Sequence, residues 1–145
     1  MLSERPVGEA DRLYTIFTRD LGKVVARAIA VRKINSKLRG NLEPLSLSSV
    51  SFVKGKDFWR ITSAELMNTI SLSAARPLSL INQLVQGEEA HPGFFDVVEK
   101  SIHSDETTFV SQILYHLGYL KESDLNLDKK SLIQAINEGI QASHL

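Results

Sequence analysis

Hydrophobic and polar residues along this chain follow two different periods, and the change between them falls near Leu66. Before it, short segments rich in β-branched and aromatic side chains alternate with turn residues, a pattern typical of strands. After it, apolar residues recur every three or four positions, as they do on one face of a helix. The pattern predicts an α+β protein with a β domain over residues 1–66 and a small helical domain over residues 67–145.

Five short strands are predicted in the β domain. The second and third are separated by a hairpin turn at Gly22, which can adopt a positive φ angle. A short turn at residues 54–57 separates the last two strands, and the polar residues 33–44 predict a loop or a single helical turn. The predicted strands are residues 2–7, 11–18, 23–31, 45–53 and 58–66.

Five short strands with a longer link between the third and fourth are typical of an OB-type β-barrel, with an SH3-like barrel as the nearest alternative. In the third strand Ala26 and Ala28 alternate with larger residues, and either side of that strand could face the core. In the fourth, the apolar residues shift from odd to even positions between Leu47 and Val50, which predicts a β-bulge.

Four helices are predicted after the barrel. The first begins at Pro77 and is closed by Gly87, and the second covers residues 94–102. The third ends just before Gly118, which lies where a C′ residue is expected, and the fourth begins after Asp128 as its N-cap. One apolar face is predicted for the fourth helix, formed by Leu132, Ile133, Ile136 and Ile140.

The formal net charge of zero conceals a strong asymmetry along the chain. Residues 1–62 carry 12 Lys and Arg against 6 Asp and Glu, whereas residues 63–145 carry 5 against 11. Between Arg19 and Arg39 there are seven basic residues and one acid. Such clustering favours contact with a phosphate backbone, because each neutralised phosphate releases condensed counterions. The β domain is therefore predicted to bind nucleic acid without reading its sequence.

The candidate contacts are basic and aromatic side chains of the β domain. Aromatic rings of OB barrels often stack on unpaired bases, although most aromatic residues here are expected to fill the core. The predicted stacking residues are Tyr14 and Trp59. The predicted phosphate contacts are Lys23, Arg27, Arg32, Lys33, Lys37, Arg39 and Arg60.

Catalysis, metals and membranes have no positive support in the sequence. The chain has no cysteine, and its four histidines lack metal-ligand spacing. Gly-Lys pairs occur without the glycine-rich lead of a phosphate loop. The acidic pairs Glu88-Glu89 and Asp105-Glu106 are interpreted as charges at helix N-termini. The expectation is a non-enzymatic protein of the cytoplasm, with no catalytic residue, no cofactor, no metal and no membrane contact.

Several motifs of the β domain also stand in the order found in one protein family. They are GEADRL at residues 8–13, Gly22-Lys23, RKINSKLRG at residues 32–40 and AEL at residues 64–66. On these residues the sequence resembles the N-terminal domain of the RecO family of bacterial recombination mediators. The residues YHLGYL at 115–120 resemble a helix ending of the same family more weakly.

This resemblance implies an OB fold and a DNA-repair mediator that binds single- and double-stranded DNA, anneals complementary strands and helps to load a recombinase. The implied partners are RecR, a RecA-type recombinase and the single-strand-binding protein. DNA contact is carried over onto Arg27, Arg32, Lys33, Lys37 and Arg39. Chains of the family are usually longer, so the resemblance predicts a shortened helical domain. The four-cysteine zinc module of some members cannot form in a chain without cysteine.

Two alternatives come from other classes of function. The first is an OB protein associated with RNA or the ribosome, which would prefer RNA over DNA at matched salt. The second is a protein-interaction module that has lost DNA contact and works through its acidic helices. Neutralising Arg32, Lys33 and Arg39, which lie in the basic segment of residues 32–39, would leave the second function intact.

Overall fold

The fold is taken from a computed structural model, which describes residues 1–30, 38–43 and 45–143. Its contacts divide the chain into two compact units. The barrel unit comprises Met1–Ile70 together with Gln86–Ala90. The helical unit comprises Ser71–Val85 and His91–Leu145.

The barrel unit is a five-stranded mixed sheet in the order β1-β2-β3-β5-β4. Among the strands of the described residues, the β3–β5 pairing is parallel and the other neighbours are antiparallel. The amino group of Met1 donates a hydrogen bond to the carbonyl oxygen of Ser46 at 3.1 Å, which links the two outer strands. This arrangement confirms the predicted OB-type fold. The strands are β1 Ser3–Val7, β2 Asp11–Thr18, β3 Gly22–Ala28, β4 Ser46–Lys54 and β5 Trp59–Thr69.

Small side chains of β3 face the core of the barrel. Val24, Ala26 and Ala28 each have 0% exposure, whereas the alternating Val25 is exposed. Successive side chains of a strand point to opposite faces, so the buried set settles which side of β3 lies inside. The core around them is completed by Tyr14, Ile16, Leu42 and Ile61.

The pairing of β4 with β5 is interrupted twice. Leu47 pairs with Asn68 but Ser48 pairs with Leu66, so the register shifts where the parity of β4 predicts a bulge. The second shift follows Ser51. In both places the additional residue lies on β5 and not on β4, as Met67 and Thr62. The prediction of an irregularity is therefore confirmed, and its assignment to β4 is corrected.

The turn between β2 and β3 is tied by one hydroxyl group. Thr18 Oγ1 accepts a hydrogen bond from the amide of Leu21 at 3.0 Å and donates one to the carbonyl oxygen of Gly22 at 2.8 Å. Gly22 has a φ of 71°, in the region that favours glycine. The hairpin predicted from Gly22 is confirmed.

Four helices form the helical unit, with α3 contacting each of the other three. Val110 and Leu114 of α3 are buried with Leu80, Leu120 and Ile136 in one core. Within the described residues, no helix has the length and apolar character needed to cross a membrane. The helices are α1 Ala75–Leu84, α2 Pro92–Ser101, α3 Glu106–His116 and α4 Lys129–Ala142, and short 3₁₀ turns cover Arg39–Asn41, Leu72–Ala74 and Glu122–Asn126.

The ends of α3 carry capping groups of both kinds. The carboxylate of Asp105 accepts a hydrogen bond from the amide of Thr108 at 2.8 Å, as an N-cap does. After the helix, Gly118 has a φ of 88°, and the amides of Gly118 and Tyr119 donate to the carbonyls of Tyr115 and Leu114. This is a Schellman motif with Gly118 at C′, which confirms the predicted end of the helix.

Three details of the helical prediction are corrected, one of which is that α1 ends at Leu84 and not at Gly87. Pro77 is the third residue of α1 and not its first, since α1 begins at Ala75. Proline is tolerated there because amides of the first turn have no intrahelical partner. In α4, Asp128 is the N-cap as predicted, but Ile133 is 41% exposed and lies off the buried face that carries Ile136.

Candidate nucleic-acid interface

Two of the predicted phosphate contacts are neighbours on the outside of the barrel. Arg27 of β3 and Arg60 of β5 are direct partners in the parallel register. Each is flanked along its strand by a buried residue, Ala26 or Ile61, so both arginines project away from the core. Arg60 is exposed and Arg27 is half-buried. The parallel pairing therefore brings together two cations that lie far apart in sequence.

Arg27 is already engaged by a carboxylate of the neighbouring strand. Its Nη2 and Nε donate to Oδ2 of Asp11 at 2.7 and 3.0 Å. Oδ1 of Asp11 accepts from the backbone amide of Ala30 at 2.7 Å. Ala30 has a φ of 58°, which is unusual for a residue other than glycine. Asp11 thus ties β2 to the chain that leaves β3, immediately before the basic segment.

Lys23 lies at the start of β3 and is half-buried. Burial lowers the pKa of its ammonium group, because desolvation disfavours the charged form. Its backbone amide donates to the carbonyl oxygen of Gly87 at 3.1 Å. Lys23 therefore lies next to the part of the barrel unit that comes from the connection between α1 and α2.

The remaining predicted phosphate contacts belong to the basic segment. Arg32, Lys33 and Lys37 lie outside the described residues. Arg39 begins the 3₁₀ turn Arg39–Asn41, and its backbone alone is described. These four positions stay predictions.

Tyr14 is a core residue. It is 1% exposed and packs in the barrel core, where burial raises the pKa of its hydroxyl. Its ring faces are covered by protein, and base stacking requires an open ring face. The stacking role predicted for Tyr14 is therefore corrected to a packing role.

Trp59 lies where β5 begins and is only partly buried. Its Nε1 donates to Oε1 of Glu88 at 2.9 Å, and the ammonium group of Lys54 lies 4.7 Å from its ring centroid. Lys54 Nζ also lies 3.9 Å from Oε2 of Glu88. The ring of Phe52 meets Trp59 edge-on, with centroids 6.1 Å apart. The indole is thus held by a cation, a carboxylate and a second ring at the end of the barrel.

Sequence reasoning missed Lys54 and misplaced Glu88. Lys54 was hidden because it stands at a predicted turn, where a lysine is usually a solvated residue. Glu88 and Glu89 were predicted to be helix N-terminal charges, but α2 begins at Pro92 with His91 as its N-cap. Asp105 and Glu106 do lie at the start of α3, as predicted. No sequence signal places Glu88 against Trp59, because the contact spans 29 positions.

The charge asymmetry is smaller between the compact units than between the two parts of the sequence. The barrel unit carries 12 Lys and Arg against 9 Asp and Glu, a net charge of +3. The helical unit carries 5 against 8, a net charge of −3. The difference arises because Glu65, Glu88 and Glu89 belong to the barrel unit. Across the described residues, no three His, Asp or Glu side chains converge as metal ligands would.

A five-stranded OB-type barrel with arginines on its outer face, followed by a helical unit, defines a class of OB proteins with an appended helical part. Residues 1–70 match the family described as "Recombination protein O N terminal". The chain belongs to the RecO family, as its motifs predict.

Three relatives named "DNA repair protein RecO" illustrate the similarity. The protein of Heliobacterium modesticaldum is 45% identical over 96% of this chain and 57% of its own length. That of Dehalococcoides mccartyi is 36% identical over 63% of this chain and 40% of its own length. That of Gloeothece citriformis is 29% identical over 81% and 45%. The chain thus spans about half the length of the relatives it matches.

Proposed function

We propose that this chain is a non-enzymatic DNA-binding protein of repair and recombination, with the barrel unit as its DNA-binding part. It binds the phosphate backbone of single- and double-stranded DNA without sequence specificity. By neutralising phosphates it lowers the repulsion between complementary strands and promotes their annealing. The observation that carries the proposal is the match of residues 1–70 to the N-terminal domain of recombination protein O.

The geometry of the barrel unit supports phosphate contact. Arg60 is exposed on the outer face beside Arg27, and β3 leads directly into the basic segment that holds Arg32, Lys33 and Arg39. Arg27 is fixed by Asp11, so its guanidinium is held in place before a ligand arrives. A preoriented cation loses less side-chain entropy on binding than a free one. Backbone contacts of this kind position a strand but do not read its bases.

The test is a salt titration of binding to a labelled single strand, followed by fluorescence anisotropy. With about five phosphates neutralised, the log–log slope should be about −3.5. Replacing Arg32, Lys33 and Arg39 by alanine should make the slope shallower by about 2, since each lost contact removes about 0.7. A matched control replaces Lys100, Lys129 and Lys130 of the helical unit by alanine and should keep the wild-type slope.

Three results would contradict the proposal. Equal losses in both triple variants would show an effect of net charge and not of an interface. Tighter binding to an RNA strand of the same sequence at matched salt would favour the RNA-associated alternative. Absence of binding to any strand at low salt would favour the protein-interaction alternative, with the helical unit as its working surface.

Annealing and recombinase loading form the finer part of the proposal. Annealing is measured as the rate at which two complementary labelled strands pair, with and without the protein. Cooperation with RecR, with the single-strand-binding protein and with a RecA-type recombinase is tested by adding each purified partner to that reaction. Binding without acceleration of pairing would leave a DNA-binding protein that lacks mediator activity.

A further inference from the structure

The contacts around Trp59 point to a second feature of the barrel unit, which concerns the segment Gln86–Ala90. This segment, called the latch here, lies between α1 and α2 in sequence but belongs to the barrel unit by its contacts. Its carbonyl at Gly87 accepts from the amide of Lys23 at 3.1 Å. Its backbone at Glu89 lies so close to Gly22 that a Cβ there would come within 2.8 Å of Glu89 N. The latch is therefore seated against the start of β3.

The side chain of Glu88 makes the other half of this docking. One carboxylate oxygen accepts from Trp59 Nε1 at 2.9 Å, and the other lies 3.9 Å from Lys54 Nζ. Lys54 in turn covers the indole ring at 4.7 Å. A carboxylate that pairs with an ammonium and accepts an indole N–H occupies the place that a phosphate oxygen would take on the same donors.

We propose that Lys54 and Trp59 form a site for one unpaired nucleotide of single-stranded DNA, and that Glu88 holds this site closed. The base stacks on the indole and its phosphate takes Lys54 from Glu88. The inference rests on the proposed DNA binding and adds its regulation. The Glu88 carboxylate is easily displaced from Lys54, because the Lys54 and Glu88 side chains are 71% and 47% exposed and ion pairs of this kind contribute little free energy.

The loss of the ion pair between Glu88 and Lys54 changes how many phosphate contacts DNA binding adds. In the wild type, Lys54 exchanges the carboxylate of Glu88 for a phosphate of the DNA. The number of anionic groups that Lys54 neutralises is therefore the same before and after binding. When Glu88 is uncharged, Lys54 adds one full contact. Glu88→Gln should therefore bind a labelled oligothymidylate about three- to fivefold more tightly at low salt, which is the upper part of the range for one exposed ion pair. Its salt slope should steepen by about 0.7.

The matched control is Glu89→Gln, which makes the same charge change at the next residue of the latch. It should alter the affinity by less than about twofold, since Glu89 is not paired with Lys54 in the ion pair described above. A second control places Glu88→Gln in a Lys54→Gln background, where the gain in affinity should vanish because the released cation is absent. Trp59 is the only tryptophan of the chain, so its emission reports the latch directly. Glu88→Gln should shift the emission of the free protein and Glu89→Gln should not.

The outcomes separate this inference from the proposed function. If the wild type binds DNA but the two glutamine variants change the affinity equally, the latch is overturned while DNA binding stands. The same conclusion follows if the gain persists in the Lys54→Gln background. If neither the wild type nor Glu88→Gln binds at low salt, both proposals fail.

Discussion

Gly22 serves two requirements at one position, and no other residue type meets both. Its φ of 71° lies in the left-handed region, and the backbone of Glu89 occupies the space where a side chain would begin. Gly8 offers a matched comparison, since its φ is 63° but nothing lies within 4 Å of the point where its Cβ would stand. The pair separates backbone strain from steric exclusion.

Gly8→Ala should lower the free energy of unfolding by about 1–2 kcal/mol, the cost of a left-handed conformation in a residue with a Cβ. Gly22→Ala carries the same strain and also displaces the latch, so it should cost about 1–3 kcal/mol more. Urea unfolding of both variants measures the difference. Equal losses at the two positions would mean that the latch contributes nothing to the stability of the barrel unit.

Residue types were predicted more reliably than residue environments. The alternation of β3 predicted two faces, but only the 0% exposure of Val24, Ala26 and Ala28 identified the inner one. Tyr14 has an aromatic side chain of the kind that stacks on bases, but it is buried in the core. The engagement of Arg27 by Asp11 could not be foreseen from their separation of 16 positions. Such environments depend on strand register, which local sequence does not specify.

At the scale of elements, α3 offers a pH-dependent contribution to stability. Hydrogen bonds from the backbone and side chain of Thr108 hold the pKa of the Asp105 carboxyl below its usual value. A carboxyl with a lowered folded-state pKa stabilises the fold above its unfolded pKa of about 3.9 and loses that contribution as pH falls further. The N-cap of α3 should therefore weaken at acid pH.

Asp105→Ala should lower the free energy of unfolding by about 1 kcal/mol at pH 7, the typical loss of an N-cap. The gap between wild type and Asp105→Ala should narrow as the pH falls below about 3.9. Asp105→Asn is the control, because an amide oxygen caps without titrating. Urea unfolding at several values between about pH 7 and about pH 3 measures all three proteins. A gap that stays constant with pH would contradict a role of the ionised carboxylate.

Elements with local signals were predicted well, but only some of their exact limits were. The end of α3 follows from Gly118 because a C′ glycine acts within one turn. The start of α1 at Ala75 was missed because proline is accepted at several positions of a first turn. The bulge was predicted on β4 although the additional residues lie on β5, because a register shift changes which positions of both paired strands face the core. Pairing partners decide which strand carries the additional residue.

At the scale of the whole molecule, the sequence asymmetry of charge survives in weaker form. The compact units carry net charges of +3 and −3, because three acids of the later sequence belong to the barrel unit. The sign of the net charge of each unit was predictable from composition, but the magnitude of that charge was not. Composition counts residues along the chain, whereas a surface potential depends on where the chain folds back. Glu88 is the clearest example of an acidic residue that follows the barrel strands in sequence but belongs to the barrel unit in the fold.

The return of the latch to the barrel has a consequence for dissecting the protein. The chain leaves the barrel unit after Ile70, returns to it at Gln86 and leaves again after Ala90. A fragment of residues 1–70 therefore covers the family match but lacks five residues of the unit. Compared with the full chain, that fragment should show a red-shifted Trp59 emission and a lower urea midpoint.

A fragment of residues 1–90 should recover the wild-type emission, and identical emission from both fragments would contradict the seating of the latch. The segment matched by the family and the compact unit of the fold thus differ by the five residues of the latch. Cutting at the edge of the similarity would release Lys54 and Trp59 from Glu88. If these two residues bind a nucleotide as proposed, the isolated piece would bind single strands more tightly than the intact protein.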